Sequence, residues 1–279
     1  MLKDITLGQY YPADSVIHRL DPRVKVVVTL GFIVSLFVIS TIPGYLLAAL
    51  FLWLWIRLSR VPLRFMLRGM KSVFFLLFMT VVFNLFLTPG ETLISWGKLV
   101  ITKEGVRIAS LMAIRLVFLI LGSSVMTFTT TPTRLTDALE SLMRPLTRLH
   151  VPVHEIAMMM SIALRFIPIL MEETDKIMKA QMARGADFES GNIIKRAKNL
   201  IPLLVPLFIS AFRRANDLAM AMEARCYHGS EGRTRMKPLV YARRDRAAYL
   251  LLLLYLVLSV VIGRDLLHLS SLFFPGGGV

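Results

Sequence analysis

The chain has 279 residues, 56% hydrophobic and only 18% charged, with a mean hydropathy of +0.64; that is too apolar for a soluble domain and indicates a membrane protein. Its 33 lysines and arginines against 18 acids leave +15, a charge that fits basic loops on an anionic membrane surface better than a nucleic-acid surface. The single cysteine, Cys226, excludes an internal disulfide framework and any multi-cysteine metal site.

The N-terminal MLKDITLGQYYPADS is polar and lacks the charged-then-apolar pattern of a cleavable signal. The first apolar run is therefore expected to stay as an anchor. Asp21-Pro22-Arg23 reads as a helix start, with Asp21 as cap and Pro22 in the first turn. Five stretches approach the roughly 20 apolar residues that a span needs: Val24 to Ile39, Gly44 to Leu58, Val73 to Leu87, Ile108 to Phe128 and Ala247 to Gly263. Ile42-Pro43-Gly44 predicts a tight turn that makes a hairpin of the first two. The second run is short, so four spans with a re-entrant segment is the alternative.

Lysines and arginines collect on cytoplasmic loops. Arg57, Arg60, Arg64, Arg68 and Lys71 place the segment after the second run there, and Lys3, Arg19, Arg23 and Lys25 precede the first run on the same side. The 88–107 loop mixes Glu91 and Glu104 with Lys98, Lys103 and Arg107, which suits the outer side. Five spans then put the N-terminus inside and the C-terminus outside. The expected organisation is four spans in 1–128, a cytoplasmic region in 129–246, and a last span with its tail in 247–279.

The 129–246 region carries charged turns but also the apolar runs Ile156 to Leu170 and Leu200 to Phe212. With Pro145, Pro152, Pro168, Pro202 and Pro206 as breaks or kinks, it reads as several amphipathic helices along or dipping into the interface. Two further spans pairing as a hairpin is the other reading. Inside this region Ala180-Gln-Met-Ala-Arg184-Gly185 returns as Ala221-Met-Glu-Ala-Arg225-Cys226, an offset of 225 − 184 = 41, and Gly191 matches Gly232 at the same offset. Each copy ends a helix-favouring stretch before a glycine-containing polar loop, which puts an arginine near a helix C-terminus. An arginine there complements the helix dipole, worth about 0.3–1 kcal/mol. Two matched copies point instead to docking: small alanines allow close approach, and a guanidinium grips carboxylates or carbonyls bidentately. Paired docking arginines suit a partner with two equivalent sites. The chain has no Gly-x-x-x-x-Gly-Lys-Ser/Thr loop, so any ATP would be bound and hydrolysed by other chains.

On Ala183-Arg184-Gly185 and Ala224-Arg225-Cys226, the sequence resembles the transmembrane T component of energy-coupling factor transporters, the EcfT/CbiQ-like family of modular ABC importers for vitamins and metal ions. Supporting text is His18-Arg-Leu-Asp21-Pro22-Arg23-Val-Lys25, Thr131-Pro132-Thr133-Arg-Leu-Thr-Asp-Ala-Leu and Leu164-Arg165-Phe166-Ile-Pro168. The second motif of that family usually ends in glycine; here Cys226 takes the place, and cysteine tolerates a left-handed cap less well. The resemblance implies an all-α membrane bundle with a platform of cytoplasmic coupling helices. It implies two cytoplasmic ABC ATPases, a substrate-binding S component in the same bilayer, no nucleic-acid partner and no cofactor. Arg184 would meet one ATPase and Arg225 the other. The apolar face of the platform would hold a substrate subunit that changes position; Met158-Met159-Met160, as methionines that repack easily, suit either sliding against such a partner or plain helix packing. A substrate-conducting permease of another ABC class would show one coupling loop and a polar cavity; a membrane-embedded enzyme would need converging acids, histidines or a nucleophile.

Other polar residues have plainer readings. His150 and His154 flank Pro152 beside Glu155, and the His-Glu-x-x-His pattern fails at Met158, so solvent-facing or capping histidines are expected rather than a metal site. Arg115 and Asn84, within apolar runs, are expected to bond neighbouring helices or snorkel rather than mark a polar path. Glu172, Glu173 and Asp175 suit a solvated face or an intrachain arginine partner. The tail Phe274-Pro-Gly-Gly-Gly-Val is expected to be disordered.

Overall fold

The computed structural model describes residues 9–70, 73–96, 99–188, 194, 198–229, 236 and 238–273. Lys3, Lys71, Lys98, Gly191, Gly232 and the tail from Phe274 lie outside these. Asp21 and Pro22 start α1 (Pro22–Val38) as their chemistry dictates: Pro22 sits where no backbone N–H is needed, and the Asp21 carboxylate accepts from the Arg23 N–H. The turn expected at Ile42-Pro43-Gly44 falls slightly earlier. Ile39 and Thr41 are extended, and Ile42, Pro43 and Gly44 form the first turn of α2 (Ile42–Ser59), where a missing N–H leaves no intrahelical bond unmade.

There follow α3 (Leu63–Met70), α4 (Phe74–Leu87), a short antiparallel pair β1 (Thr92–Trp96) and β2 (Leu99–Thr102), and α5 (Lys103–Thr129). The 88–107 loop is thus partly a hairpin, closed by Thr102, whose hydroxyl accepts from the Gly105 N–H as the cap of α5. With α9 (Arg243–Phe273) these elements form one unit, Gly8–Leu135 and Leu239–Val279. Its core is one face of α1 at i, i+4 spacing: Val24, Val28, Phe32 and Leu36 meet Tyr45, Ala48, Phe51 and Leu52 of α2 and Leu252 and Tyr255 of α9. The Phe51 ring lies 4.4 Å from Tyr255 and 5.7 Å from Phe32. Gly122 lets α5 approach this stack; a Cβ there would lie 2.8 Å from the Phe32 ring. The other face of α1, with Leu30, Val34, Phe37 and Val38, is exposed. A helix apolar all round needs lipid against the uncovered side.

The second unit comprises Thr136–Pro238 in the main. Through α6 (Pro132–Met143) and a 3₁₀ turn (Arg144–Leu149), it leads to α7 (Val153–Ala183) and α8 (Ile201–Glu223). The prolines act unequally. Pro152 precedes α7 and Pro202 sits in the first turn of α8, as boundaries, but α7 runs unbroken through Pro168 and α8 through Pro206. Of the two readings, break or kink, neither proline is a break, because one lost backbone bond is outweighed by packing along a long apolar helix.

The protein is an all-α polytopic membrane protein apart from the small hairpin. Among the described residues, four helical stretches are long and apolar enough to cross a membrane by length and composition: α2, α5, α7 and Arg243–Ile262 of α9. α1, at 17 residues, and α4, at 14, are shorter. α7 thus has the length and composition that the reading with two further spans requires of its first run, Ile156 to Leu170.

Candidate docking motifs of the helical insert

α7 and α8 run antiparallel. The Glu173 carboxylate of α7 accepts from Ser210 Oγ at 2.6 Å and pairs with the Arg214 guanidinium, both on α8, while Gln181 Nε2 donates to the Pro202 carbonyl at 3.2 Å. As the α7 position rises from 173 to 181, its partner falls from 210–214 to 202, the mark of opposite directions. Glu173 is the intrachain arginine partner expected of that acidic stretch. Its partner Arg214 was not legible beforehand; the only signal was a charged pair, Arg213-Arg214, interrupting an apolar run.

Both repeated motifs fall at helix ends, and the ends are built alike. At α7, the Ala186 N–H donates to the Gln181 carbonyl and the Gly185 N–H to Met182; at α8, the Tyr227 N–H donates to Met222 and the Cys226 N–H to Glu223. Each is a Schellman closure with Arg184 or Arg225 just past the helix and the next residue left-handed. Gly185 has φ +88 and Cys226 φ +56. Glycine adopts this freely, whereas cysteine is strained by about 1–2 kcal/mol. The sequence repeat is therefore also a repeat of backbone geometry, and Cys226 adopts the left-handed conformation that it tolerates less well than glycine.

Ala183, Arg184, Gly185, Ala224, Arg225 and Cys226 are all exposed. Among the described residues, neither the Arg184 nor the Arg225 guanidinium has a hydrogen bond or ion pair within the chain, unlike Arg214, Arg115 and Arg23. The antiparallel register sets Arg184 beside the start of α8, so the two arginines are separated by the length of that 23-residue helix, about 35 Å at ~1.5 Å per residue. Between them α8 presents an uncovered apolar face at helical spacing: Ile201, Leu204, Val205, Phe208, Ile209 and Phe212 are each at least 50% exposed. Met159 and Met160 of α7 are also exposed, and Met158 is partly so.

The remaining polar residues fill structural places. His150 is exposed and ends the 3₁₀ turn with φ 61, a capping histidine, and His154 Nδ1 lies 3.0 Å from Glu140 Oε1. No group of three metal-ligating side chains occurs among the described residues. Arg115 donates from Nε to the Tyr45 hydroxyl at 3.0 Å and from Nη2 to the Ile39 carbonyl at 3.2 Å, both across helices. Asn84 bonds within its own helix, to the Thr80 carbonyl at 2.8 Å. Near the start of α1, His18 is buried. Its Nε2 donates to the Tyr11 carbonyl at 2.9 Å, which leaves Nδ1 to accept from Ser15 Oγ at 2.7 Å. Burial pushes the His18 pKa down, opposed in part by the Tyr11 carbonyl.

The chain is similar in sequence to known proteins. The family model described as CbiQ, cobalt transport protein, matches residues 13–236. The chain is 54% identical over 263 residues to the energy-coupling factor transporter transmembrane protein EcfT of Clostridium kluyveri, with 94% of this chain and 97% of that one covered. The protein of the same name from Ruminiclostridium cellulolyticum is 56% identical over 245 residues, covering 88% and 92% of the two chains. That of Bacillus subtilis is 45% identical over 246 residues, covering 88% and 93%.

Proposed function

The chain belongs to the CbiQ family as the transmembrane T component of an energy-coupling factor transporter, and on that premise we propose that Arg184 and Arg225 are the handles by which two cytoplasmic ATPases move it. A transporter subunit of this kind works in a complex and performs no catalysis of its own. On this reading the ATPases are ABC subunits, one seated on each arginine. Their ATP-driven approach displaces the two ends of the α7–α8 pair, and an S component lying on the apolar face of α8 responds by delivering a vitamin or metal ion. The basic segment after α2, the N-terminus and the whole 129–246 region lie on the cytoplasmic side.

The observation that carries the reading is the pair of exposed guanidinium groups, unbonded among the described residues, each on the same Schellman end and set a helix length apart. An exposed guanidinium seated in a groove makes several charge-assisted hydrogen bonds, each worth about 1.5–3 kcal/mol, so a push on the groove moves the helix. The test is charge reversal. Arg184→Glu with Arg225→Glu is expected to release the ATPases on membrane purification; full ATPase retention in the double variant would refute the docking role.

A further inference from the structure

We propose that a cavity at the basic end of the membrane bundle holds one acyl chain of an anionic phospholipid, whose phosphate is seated on Arg244. The site belongs wholly to the unit Gly8–Leu135 with Leu239–Val279, and it is independent of the docking reading.

Three helix ends make the cavity. The start of α1 contributes Val24, the last turns of α2 contribute Leu54 and Trp55, and the second turn of α9 contributes Ala247 and Ala248. Its volume is about 210 Å³. That is too small for a helix, which is about 10–12 Å across, and suits a single flexible chain. The two alanines leave room that larger side chains would take. Val16, Leu58 and Leu251 line the cavity and are also exposed, so it opens on the flank of an apolar bundle.

Charge at the cavity selects an anion. α9 begins Arg243-Arg244-Asp245-Arg246, three arginines against one aspartate at a helix end where the dipole favours negative charge. The acid is committed within the protein: Asp245, 2% exposed, accepts from the Asp21 N–H at 2.9 Å and from the Ala242 N–H at 2.7 Å. The three arginines are exposed, and among the described residues their guanidinium groups have no hydrogen bond or ion pair. Of the three, Arg244 lines the cavity. Two cations at the start of α1 are already engaged. Lys25 Nζ donates to the Thr129 carbonyl at 2.8 Å and to the His18 carbonyl at 3.4 Å. Arg23 Nη2 donates to the Asp21 carboxylate at 2.8 Å and to the Leu239 carbonyl at 3.1 Å.

An unpaired guanidinium beside an apolar cavity complements a molecule with an anionic head and an apolar tail. A second donor agrees. Trp55 Nε1 is buried without an acceptor among the described residues, whereas buried donors are ordinarily satisfied. The ester carbonyls that a phospholipid carries between its phosphate and its chains are acceptors of the kind this indole lacks.

The experiment uses the complete transporter complex in phosphatidylcholine vesicles. These hold an equal small fraction of either phosphatidylglycerol or phosphatidylcholine with a diazirine in one acyl chain, and labelled peptides of this chain are mapped by mass spectrometry. Peptides covering 54–58 and 247–251 are expected to be labelled about fivefold more by the phosphatidylglycerol probe. The exposed face of α1 at Val34 and Val38 should be labelled equally by both, as bulk lipid would do. Arg244→Gln should bring the cavity ratio below twofold, and Arg244→Lys should keep it. Ala247→Phe should lower labelling of 54–58 by both probes, because the ring takes the place of the chain. Equal labelling of the cavity peptides by the two probes in the unsubstituted complex would overturn the proposal, and that comparison needs no variant to assemble. So would a ratio that Arg244→Gln leaves unchanged. Cavity peptides labelled by neither probe would mean that protein fills the space, and would overturn it equally.

Discussion

The two helix ends make a matched pair of opposite perturbations. Gly185 stands at φ +88 with nothing within 4 Å of the position a Cβ would take. Gly185→Ala therefore adds no clash, and its whole effect is backbone strain. A left-handed non-glycine residue costs about 1–2 kcal/mol, and the smaller unfolded-state entropy of alanine returns about 0.5–1 kcal/mol. The net loss is about 1 kcal/mol, or roughly fivefold in the opening equilibrium of the last turn of α7. Cys226 has φ +56 and is exposed, so Cys226→Gly runs the same sum in reverse and closes the end of α8 about fivefold more often. Hydrogen exchange read by mass spectrometry reports these openings locally. The peptide ending at Ala186 should exchange faster in Gly185→Ala, and the one ending at Tyr227 slower in Cys226→Gly. Unchanged exchange in both would mean that the Schellman ends do not set local stability.

Further outcomes follow from the ion pairs and the buried histidine. Arg115→Met leaves the Tyr45 hydroxyl and the Ile39 carbonyl without their donor and should lower stability in detergent by about 1–3 kcal/mol, seen as a lower unfolding midpoint; no change would mean lipid or water replaces those bonds. Glu173→Ala should weaken α7–α8 packing only slightly, because the Glu173–Arg214 pair is partly solvated. A double-mutant cycle with Arg214→Ala measures that coupling, and zero coupling would remove the pair from the account. The folded-state pKa of His18 lies below its ordinary 6.5, so below that pH the unfolded chain takes up the proton more readily. Stability is fully present above pH 6.5 and falls as the pH drops through and below it. His18→Gln should flatten this acid-side slope of the unfolding midpoint, and an unaltered slope would contradict the assignment.

Much of this was legible in the sequence, for identifiable reasons. Asp21 and Pro22 mark their helix start because a cap and an N–H-less first turn are local chemistry. The repeated Ala-Arg motif exposed two equivalent helix ends because a Schellman closure is written in a few adjacent residues. Which prolines bound a helix was not legible. Pro202 in a first turn and Pro206 four residues later look alike in sequence, yet only the first bounds a helix, because the second is held by packing that the chain's order does not display. Non-local pairs were equally hidden. Nothing near Lys25 announces Thr129, and nothing near Arg23 announces Leu239, since those partners are set by how α1 meets the ends of α5 and α9.

The central claim is that each docking arginine meets its own ATPase. Photo-crosslinking amino acids placed at 184 and at 225, one at a time, in the intact transporter membrane test it directly. The account predicts an ATPase adduct from each position, with no such adduct from the exposed control position Asp217. Adducts to lipid alone, or none at all from both arginine positions, would contradict it.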